Sequence, residues 1–314
     1  MADEINVAIV GGGIIGCWLA YELSGSESDI FLFEKNEGIT QGENQSSRNS
    51  GVNHAGLNYD VSSRPLKARF CVEGNHLWEQ FCEKHALPFF KVGKLMVALN
   101  ESEEIELEKY LSRAIEFGIP GVRRISGRQA REFEPNVTAL SALHIPTSGI
   151  FEPTSLLRQV YFLASNQGVQ FMPSTEVVEL RAEGKKALMK IRYRDGATEW
   201  IAPRVILNSA GVHAVNLAKM IDGNFPLKAA LIRGDSMKFY RTSRPELYLN
   251  GLNVYPTPQT VQTPFGLQHT VGVHITPMFD FENGRHVIGN TFMVGPKLVP
   301  VAREDDFQTP MPGP

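Results

Sequence analysis

Three glycines, at the spacing Gly11-x-Gly13-x-x-Gly16, form the arrangement in this chain best suited to chemistry, and that chemistry is the holding of a phosphate ester. In such a turn Gly11 permits the tight bend and Gly13 lets a pyrophosphate approach the backbone. Gly16 allows the following helix to pack close to its strand, with the helix N-terminus, where Ile14 lies, facing the anion. Ala20 keeps that helix near the sheet. Glu34 stands 34 − 11 = 23 positions after the first glycine. A carboxylate there accepts hydrogen bonds from an adenosine ribose and disfavours a 2′-phosphate. Together these residues predict dinucleotide binding, and alone they do not separate NAD from FAD.

The turn needs a strand before it and a helix after it, and the pattern supplies both. Ile5–Val10 is a short β-rich run, Cys17–Leu23 a helix body, and Ile30–Phe33 a second buried strand that delivers Glu34 at its end. A polar stretch over Asn36–Asn49 follows, and a loop of that length between compact elements is either functional or disordered. Leu66, Phe70, Leu77, Trp78 and Phe81 fall at roughly helical spacing over Leu66–Cys82. A second helix over Glu103–Phe117 sets Leu107, Leu111, Ala114 and Ile115 against a solvated acidic face. Further helices are expected over Ser155–Asn166 and His213–Ile221. Strands are expected at Gly93–Ala98, Val169–Phe171, Glu176–Arg181, Ala187–Tyr193, Trp200–Ile201 and Arg204–Asn208. The last hundred or so residues are β-rich and punctuated by proline, and Gln308–Pro314 reads as a tail or a cut end.

At 314 residues the chain suits two domains, or one large α/β body with an insertion. Its 31 Lys+Arg against 34 Asp+Glu give a net charge of -3, which excludes the basic excess expected of a nucleic-acid partner or an anionic-membrane binder. An acidic substrate then needs locally placed cations. Cys17, Cys71 and Cys82 make neither a disulfide framework nor a CxxC pair, so the expectation is no metal and a reducing compartment, the cytoplasm. Cys17 reads as a packing group behind the glycine turn. The apolar run Ile5–Ala20 is preceded by Asp3 and Glu4 and broken by glycines, which fits neither a secretory leader nor a membrane span.

The stretch Ser46-Ser47-Arg48-Asn49-Ser50-Gly51-Val52-Asn53-His54-Ala55-Gly56-Leu57-Asn58-Tyr59, followed by Leu66-Lys67-Ala68-Arg69-Phe70-Cys71, resembles the D-amino-acid-oxidase-like flavoenzymes, and within them the L-2-hydroxyglutarate dehydrogenase/oxidase group. Further blocks stand in the same order: Gly93–Ala98, Ser148-Gly149-Ile150, Arg233-Gly234-Asp235, Asn253–Pro258, Gly272–Pro277 and Gly295-Pro296. The resemblance runs to about Arg303. It implies FAD rather than NAD, and oxidation of a small 2-hydroxy acid to the 2-oxo acid by hydride transfer to flavin. It also implies an α/β fold, a Rossmann-like FAD-binding domain with an inserted β-rich α+β substrate domain. The expected division is 1–80, 145–222 and 285–314 for the first, and 81–144 with 223–284 for the second.

On the same resemblance Glu34 and Lys35 face the adenosine, and Ser46, Arg48, Asn49, Ser50 and Gly51 run beside pyrophosphate and flavin. Val177 offers its backbone to the adenine, and Ala210 and Gly211 pack near the cofactor. On residue type alone Val177 is an ordinary strand position and Ala210-Gly211 a strand-to-helix turn. The reaction needs a base for the hydroxyl proton, for which His274 and His54 are the candidates, His274 slightly preferred. Arg233, Tyr255 and Lys94 are the candidates for holding carboxylate.

The family pattern normally continues to a Gly-rich turn and helix that closes the flavin site, so the expectation is a chain lacking that part, either non-catalytic alone or completed by a C-terminal partner chain. A secondary amine or amino acid is the alternative substrate class. Membrane contact is expected only through the electron acceptor.

Overall fold

Strand β1 (Asp3–Val10) runs into the glycine turn and out into helix α1 (Ile14–Leu23) in the computed structural model, which describes residues 3–303 apart from 43, 60–63, 185, 244, 247–248, 264–265 and 271. The tail Gln308–Pro314 lies outside the described residues. The chain continues through β2 (Ile30–Phe33), a 3-10 turn at Gln45–Ser47, β3 (Val52–Asn53), α2 (Pro65–Lys84), β4 (Phe89–Phe90), β5 (Lys94–Ala98) and α3 (Glu101–Glu116). Next come β6 (Arg123–Ser126), α4 (Gly127–Phe133), β7 (Ser141–Ile145), β8 (Gly149–Phe151), α5 (Pro153–Asn166), β9 (Gln170–Met172), β10 (Glu176–Glu183), β11 (Lys186–Arg192), β12 (Thr198–Asn208) and α6 (Ala214–Ile221). The remainder is strand: β13 (Ile232–Tyr240), β14 (Asn253–Pro256), β15 (Gln259–Thr263), β16 (Gly266–Thr270), β17 (His274–Glu282) and β18 (Arg285–Pro300).

Two compact units result. The first takes described residues from 3–49, 153–231 and 301–303, and carries a six-stranded sheet in the order β10-β11-β12-β1-β2-β9. Strands β12, β1, β2 and β9 are parallel, with Val7 opposite both Val205 and Ile30, whereas β10 and β11 form an antiparallel edge. Ala8, Ile9 and Leu32 are fully buried, as an interior parallel sheet requires. The two strands expected at Trp200–Ile201 and Arg204–Asn208 are one strand, β12, running through Pro203. Pairing with β11 stops at Ile201, and Pro203 continues β12 opposite Ile5 of β1.

The second unit takes 50–152 and 232–300. Its seven-stranded sheet, β13-β18-β17-β14-β5-β7-β6, is antiparallel except at β14–β5, and β3, β8 and β4 make a small second sheet. These pairings move the boundaries from those expected. Residues 50–80 and 145–152 join this unit because β8 pairs with β3 and β4, and 285–300 join it because β18 pairs with β13 and β17. Residues 223–231 belong to the first unit.

Two helices also turn differently from their apolar spacing. Helix α3 buries Glu103, Leu107, Tyr110 and Ala114 and leaves Ile115 exposed, and its start is capped by Asn100, whose side chain accepts from the Glu103 amide at 3.0 Å. Helix α2 buries the small or polar Ala68, Asn75 and Cys82 while Leu66, Phe70 and Leu77 stay exposed. No described helix is long and apolar enough to cross a membrane.

Candidate active site

In the first unit the ends of β1, β2 and β12 surround the glycine turn. The Gly11 amide donates to the Phe33 carbonyl at 2.8 Å and the Ser209 amide to Val10 at 2.9 Å. Gly11 holds φ +107°, and a Cβ on it would stand 2.4 Å from the Ser209 carbonyl oxygen, so only glycine closes this turn. A Cβ on Gly16 would stand 2.0 Å from the Gly11 oxygen, which fixes its role as close packing of α1 onto the turn rather than contact with a ligand.

A cavity of about 570 Å³ opens beside the turn. Gly11, Gly13, Ile14, Glu34, Lys35, Ser46, Asn49, Val177, Ala210 and Gly211 all line it, joined by Asn36, Thr175 and His213, which the sequence did not single out. Helix α1 begins on Gly13 with no side-chain cap and no acidic residue in its first turn, leaving its positive end to an incoming anion. The Ile14 amide donates to the Ser46 hydroxyl oxygen at 2.9 Å, so this helix start already holds an oxygen from outside its own chain segment. Glu34, buried at the end of β2, accepts from the Gly12 amide at 2.7 Å and from the Asn36 amide and side chain at 2.8 Å each. A carboxylate has about four acceptor positions, which leaves capacity for a ribose hydroxyl. Cys17, fully buried behind the turn, donates to the Gly12 carbonyl at 3.4 Å. Burial, then Glu34, pushes its thiol up to about 12, which keeps it unreactive.

The second unit assembles four of the five side chains expected to handle substrate. Parallel register of β5 with β14 sets Lys94 opposite Asn253 and Met96 opposite Tyr255, which puts Lys94 and Tyr255 diagonally on one face. Antiparallel pairing of β14 with β17 sets Val254 opposite Ile275 and brings His274 beside Tyr255. The two rings stack at 3.9 Å with 17° between their planes. Lys94 Nζ stands 4.0 Å over the Tyr255 ring and 3.3 Å from His54 Nδ1, and the His54 ring meets Tyr255 edge-on at 6.2 Å. His274 Nδ1 lies 3.1 Å from the Gly272 carbonyl oxygen.

Helix α2 supports this cluster from behind. Asn75 Nδ2 donates to the carbonyls of His54 at 3.2 Å and Thr147 at 3.1 Å, and Cys71 Sγ reaches the His54 carbonyl at 3.7 Å. Buried Glu134 ties down the approach to β14, accepting from the amides of Asn250, Gly251 and Leu252 at 2.7, 2.9 and 2.7 Å.

Burial dominates the electrostatics. Lys94, 3% exposed, is drawn down to about 8 by desolvation, with Cys71 acting weakly the other way. His54 falls well below the ordinary imidazole value through burial of its ring, then Lys94, His274 and Lys67. His274 falls to about 4 through burial, against the pull of its Gly272 hydrogen bond and with help from Lys94. Burial drives the Tyr255 phenol upward. Near neutral pH the cluster is therefore one ammonium beside two uncharged imidazoles and a neutral phenol.

The structure does not bring the remaining candidates to either place. Arg233 forks onto Asp235 at 2.8 and 3.1 Å, and the register of β13 sets it opposite Val299, four positions along β18 from Gly295, the partner of His274. Arg48 gives its Nε to the Gly42 carbonyl at 2.8 Å. Arg48 does not line the cavity, and Gly51, at φ +68°, accepts from the Phe151 amide at 2.8 Å within the second unit.

A family model described as FAD dependent oxidoreductase matches residues 6–312. The L-2-hydroxyglutarate dehydrogenase of Indibacter alkaliphilus is 28% identical over 278 residues, covering 88% of this chain and 65% of the relative. That of Escherichia coli O17:K52:H18 is 30% identical over 307 residues, covering 96% and 66%. The chain thus spans just under two thirds of the length of these curated relatives. Among solved structures, the L-alpha-glycerophosphate oxidase of Mycoplasma pneumoniae superposes with a TM-score of 0.76 at 25% identity, over 97% of this chain and 74% of that one.

Proposed function

This chain belongs to the family of FAD-dependent oxidoreductases, and from that premise we propose that it oxidises a small 2-hydroxy acid of the L-2-hydroxyglutarate kind to the 2-oxo acid. The observation that carries the reading is Lys94. Its ammonium is buried, it pairs with no acidic side chain among the described residues, and its neighbours are two uncharged imidazoles. A buried cation in that setting is held at a cost unless an anion arrives, and a substrate carboxylate is such an anion. An ammonium has three donors, and one directed at His54 leaves two for carboxylate oxygens.

FAD, when bound, supplies the acceptor for the two electrons. Gly11, Gly13 and the α1 N-terminus would hold its pyrophosphate, Glu34 a ribose hydroxyl, and Val177, Ala210 and Gly211 its remaining length. His274 suits the part of base. Its Nδ1 faces a carbonyl that only accepts, so the proton sits on Nδ1 and the Nε2 lone pair is open to the substrate hydroxyl proton. Tyr255 stays protonated and holds His274 flat against its ring. An ammonium-bearing substrate would meet Lys94 with like charge, which favours the hydroxy acid over an amine. Cys17, Cys71 and Cys82 are all free thiols, in keeping with a reducing compartment such as the cytoplasm.

The test is anaerobic titration of the FAD-reconstituted chain, following visible flavin absorbance. Bleaching by L-2-hydroxyglutarate, and not by its D-enantiomer or by amino acids, is expected. A flavin-loaded protein bleached by an amino acid and untouched by 2-hydroxy acids would overturn the reading.

A further inference from the structure

Resting on the substrate-handling cluster of the proposed function, we propose that Lys94 is a positioning residue that sets the tautomer of His54, making His54 a hydrogen-bond donor through Nε2 and leaving His274 as the imidazole with an open Nε2 lone pair. The argument is one of donors and acceptors. An ammonium has only hydrogens to give, so at 3.3 Å it obliges His54 Nδ1 to present its lone pair. The single proton of the neutral His54 ring then resides on Nε2. The Gly272 carbonyl has only lone pairs, so at 3.1 Å it obliges His274 Nδ1 to carry the proton. Two histidines of one cluster thus receive opposite tautomers from partners of opposite polarity. The stacking of Tyr255 on His274 and the edge contact of His54 with Tyr255 restrict how either ring can turn.

The consequence for recognition is specific. His54 Nε2–H and the remaining Lys94 hydrogens form a set of donors alone, matched to a carboxylate, whereas His274 is matched to a hydroxyl. One cluster then distinguishes the two functional groups of a 2-hydroxy acid by tautomer, with no change of residue type. The titratable groups of this cluster are Lys94, His274 and Tyr255 from the strands, His54 just past β3, and Cys71 from α2, with Lys67 of α2 acting on His54 and Cys71, and Tyr59 on Tyr255. None is a carboxylate. Once Lys94 loses its proton the amine can accept, and the constraint on His54 is released.

Nitrogen-15 correlation spectra of the histidine rings in the full chain, without FAD, test this directly. His54→Gln and His274→Gln assign the two signals. At about pH 6.5 His54 is expected as the Nε2–H form and His274 as the Nδ1–H form. Lys94→Met should shift His54 toward a mixture and leave His274 unchanged, Lys94→Arg should preserve the wild-type pattern, and raising the pH past Lys94's own titration should mimic Lys94→Met. An Nδ1–H His54 in the wild type, or a His54 signal indifferent to Lys94→Met while the His274 signal reports an intact fold, overturns the proposal. Neither readout needs turnover. A confirmed tautomer pair in a protein that fails to oxidise 2-hydroxy acids would count against the functional reading alone.

Discussion

Replacing Lys94 with methionine should make the protein more stable at neutral pH while removing its hold on anionic substrate. Lys94 titrates at about 8 in the fold against an ordinary value of 10.5, a depression of 10.5 − 8 = 2.5 units. At about 1.4 kcal/mol per unit, carrying the buried ammonium costs the folded state roughly 3 kcal/mol. Methionine has similar length and no charge. It forfeits the contact over Tyr255 and the hydrogen bond to His54, together about 1–2 kcal/mol, so the net gain at pH 7 is roughly 1–2 kcal/mol. The pH dependence gives the stricter check. Between about 8 and 10.5 the unfolded chain binds the Lys94 proton and the folded chain does not, so wild-type stability rises with pH across that window. The advantage of the variant should be complete below about 8 and fade by 10.5. Paired urea titrations of wild type and variant at pH 7 and near pH 10 measure both values, and the comparison cancels the titrating groups that Lys94 does not touch, Cys71 being the coupled one in this range. A variant less stable than wild type at pH 7, or an advantage that does not shrink with pH, would show that the ammonium is already satisfied within the protein and would refute the reasoning.

The ratio kcat/KM should follow a bell in pH, rising as His274 loses its proton near about 4 and falling as Lys94 loses its own near about 8, and Lys94→Arg should carry the basic limb upward by more than a unit; a basic limb that stays in place speaks against Lys94. Gly11→Ala forces a left-handed backbone and a 2.4 Å approach to the Ser209 oxygen, so a loss of roughly 2 kcal/mol or more in chemical denaturation and loss of FAD retention on gel filtration are expected. Glu134→Ala strips the partners from three amides ahead of β14, for an expected loss of roughly 2–4 kcal/mol in urea titration, and a change under about 1 kcal/mol would mean that water replaces the carboxylate.

What the sequence discloses and what it withholds divide along the distance over which each feature is determined. The glycine turn is local, and its strand, helix and Glu34 all appear where their spacing puts them. Lys94, Tyr255, His54 and His274 are recognisable one at a time by type, but their convergence depends on β5 pairing with β14 and β14 with β17 in particular registers, information no short window contains. Arg233 misleads because Asp235, two positions on along the same strand and so on the same face, captures its guanidinium; that partner was visible in the motif. Asn75 gave no signal, since a polar residue amid the apolar spacing of α2 looks solvent-facing until the carbonyls of His54 and Thr147 are seen above it. The exposed Leu66, Phe70 and Leu77 show the same limit, because spacing defines a helix face without saying which face is covered.

The parallel pairing of β1 with β12 also governs the order of events on the ribosome. Val7 waits for Val205, 205 − 7 = 198 residues later, and at about 5–20 residues per second that interval is roughly 10–40 s. Throughout it the glycine turn has no Ser209 carbonyl to close against and no Ala210–Gly211 wall. The whole of 50–152 emerges in the meantime, with four of the seven strands of its main sheet still unmade. Cofactor capture therefore waits until β12 and the turn after it are made, and the β-rich nascent chain before that stage is the form most in need of chaperone protection.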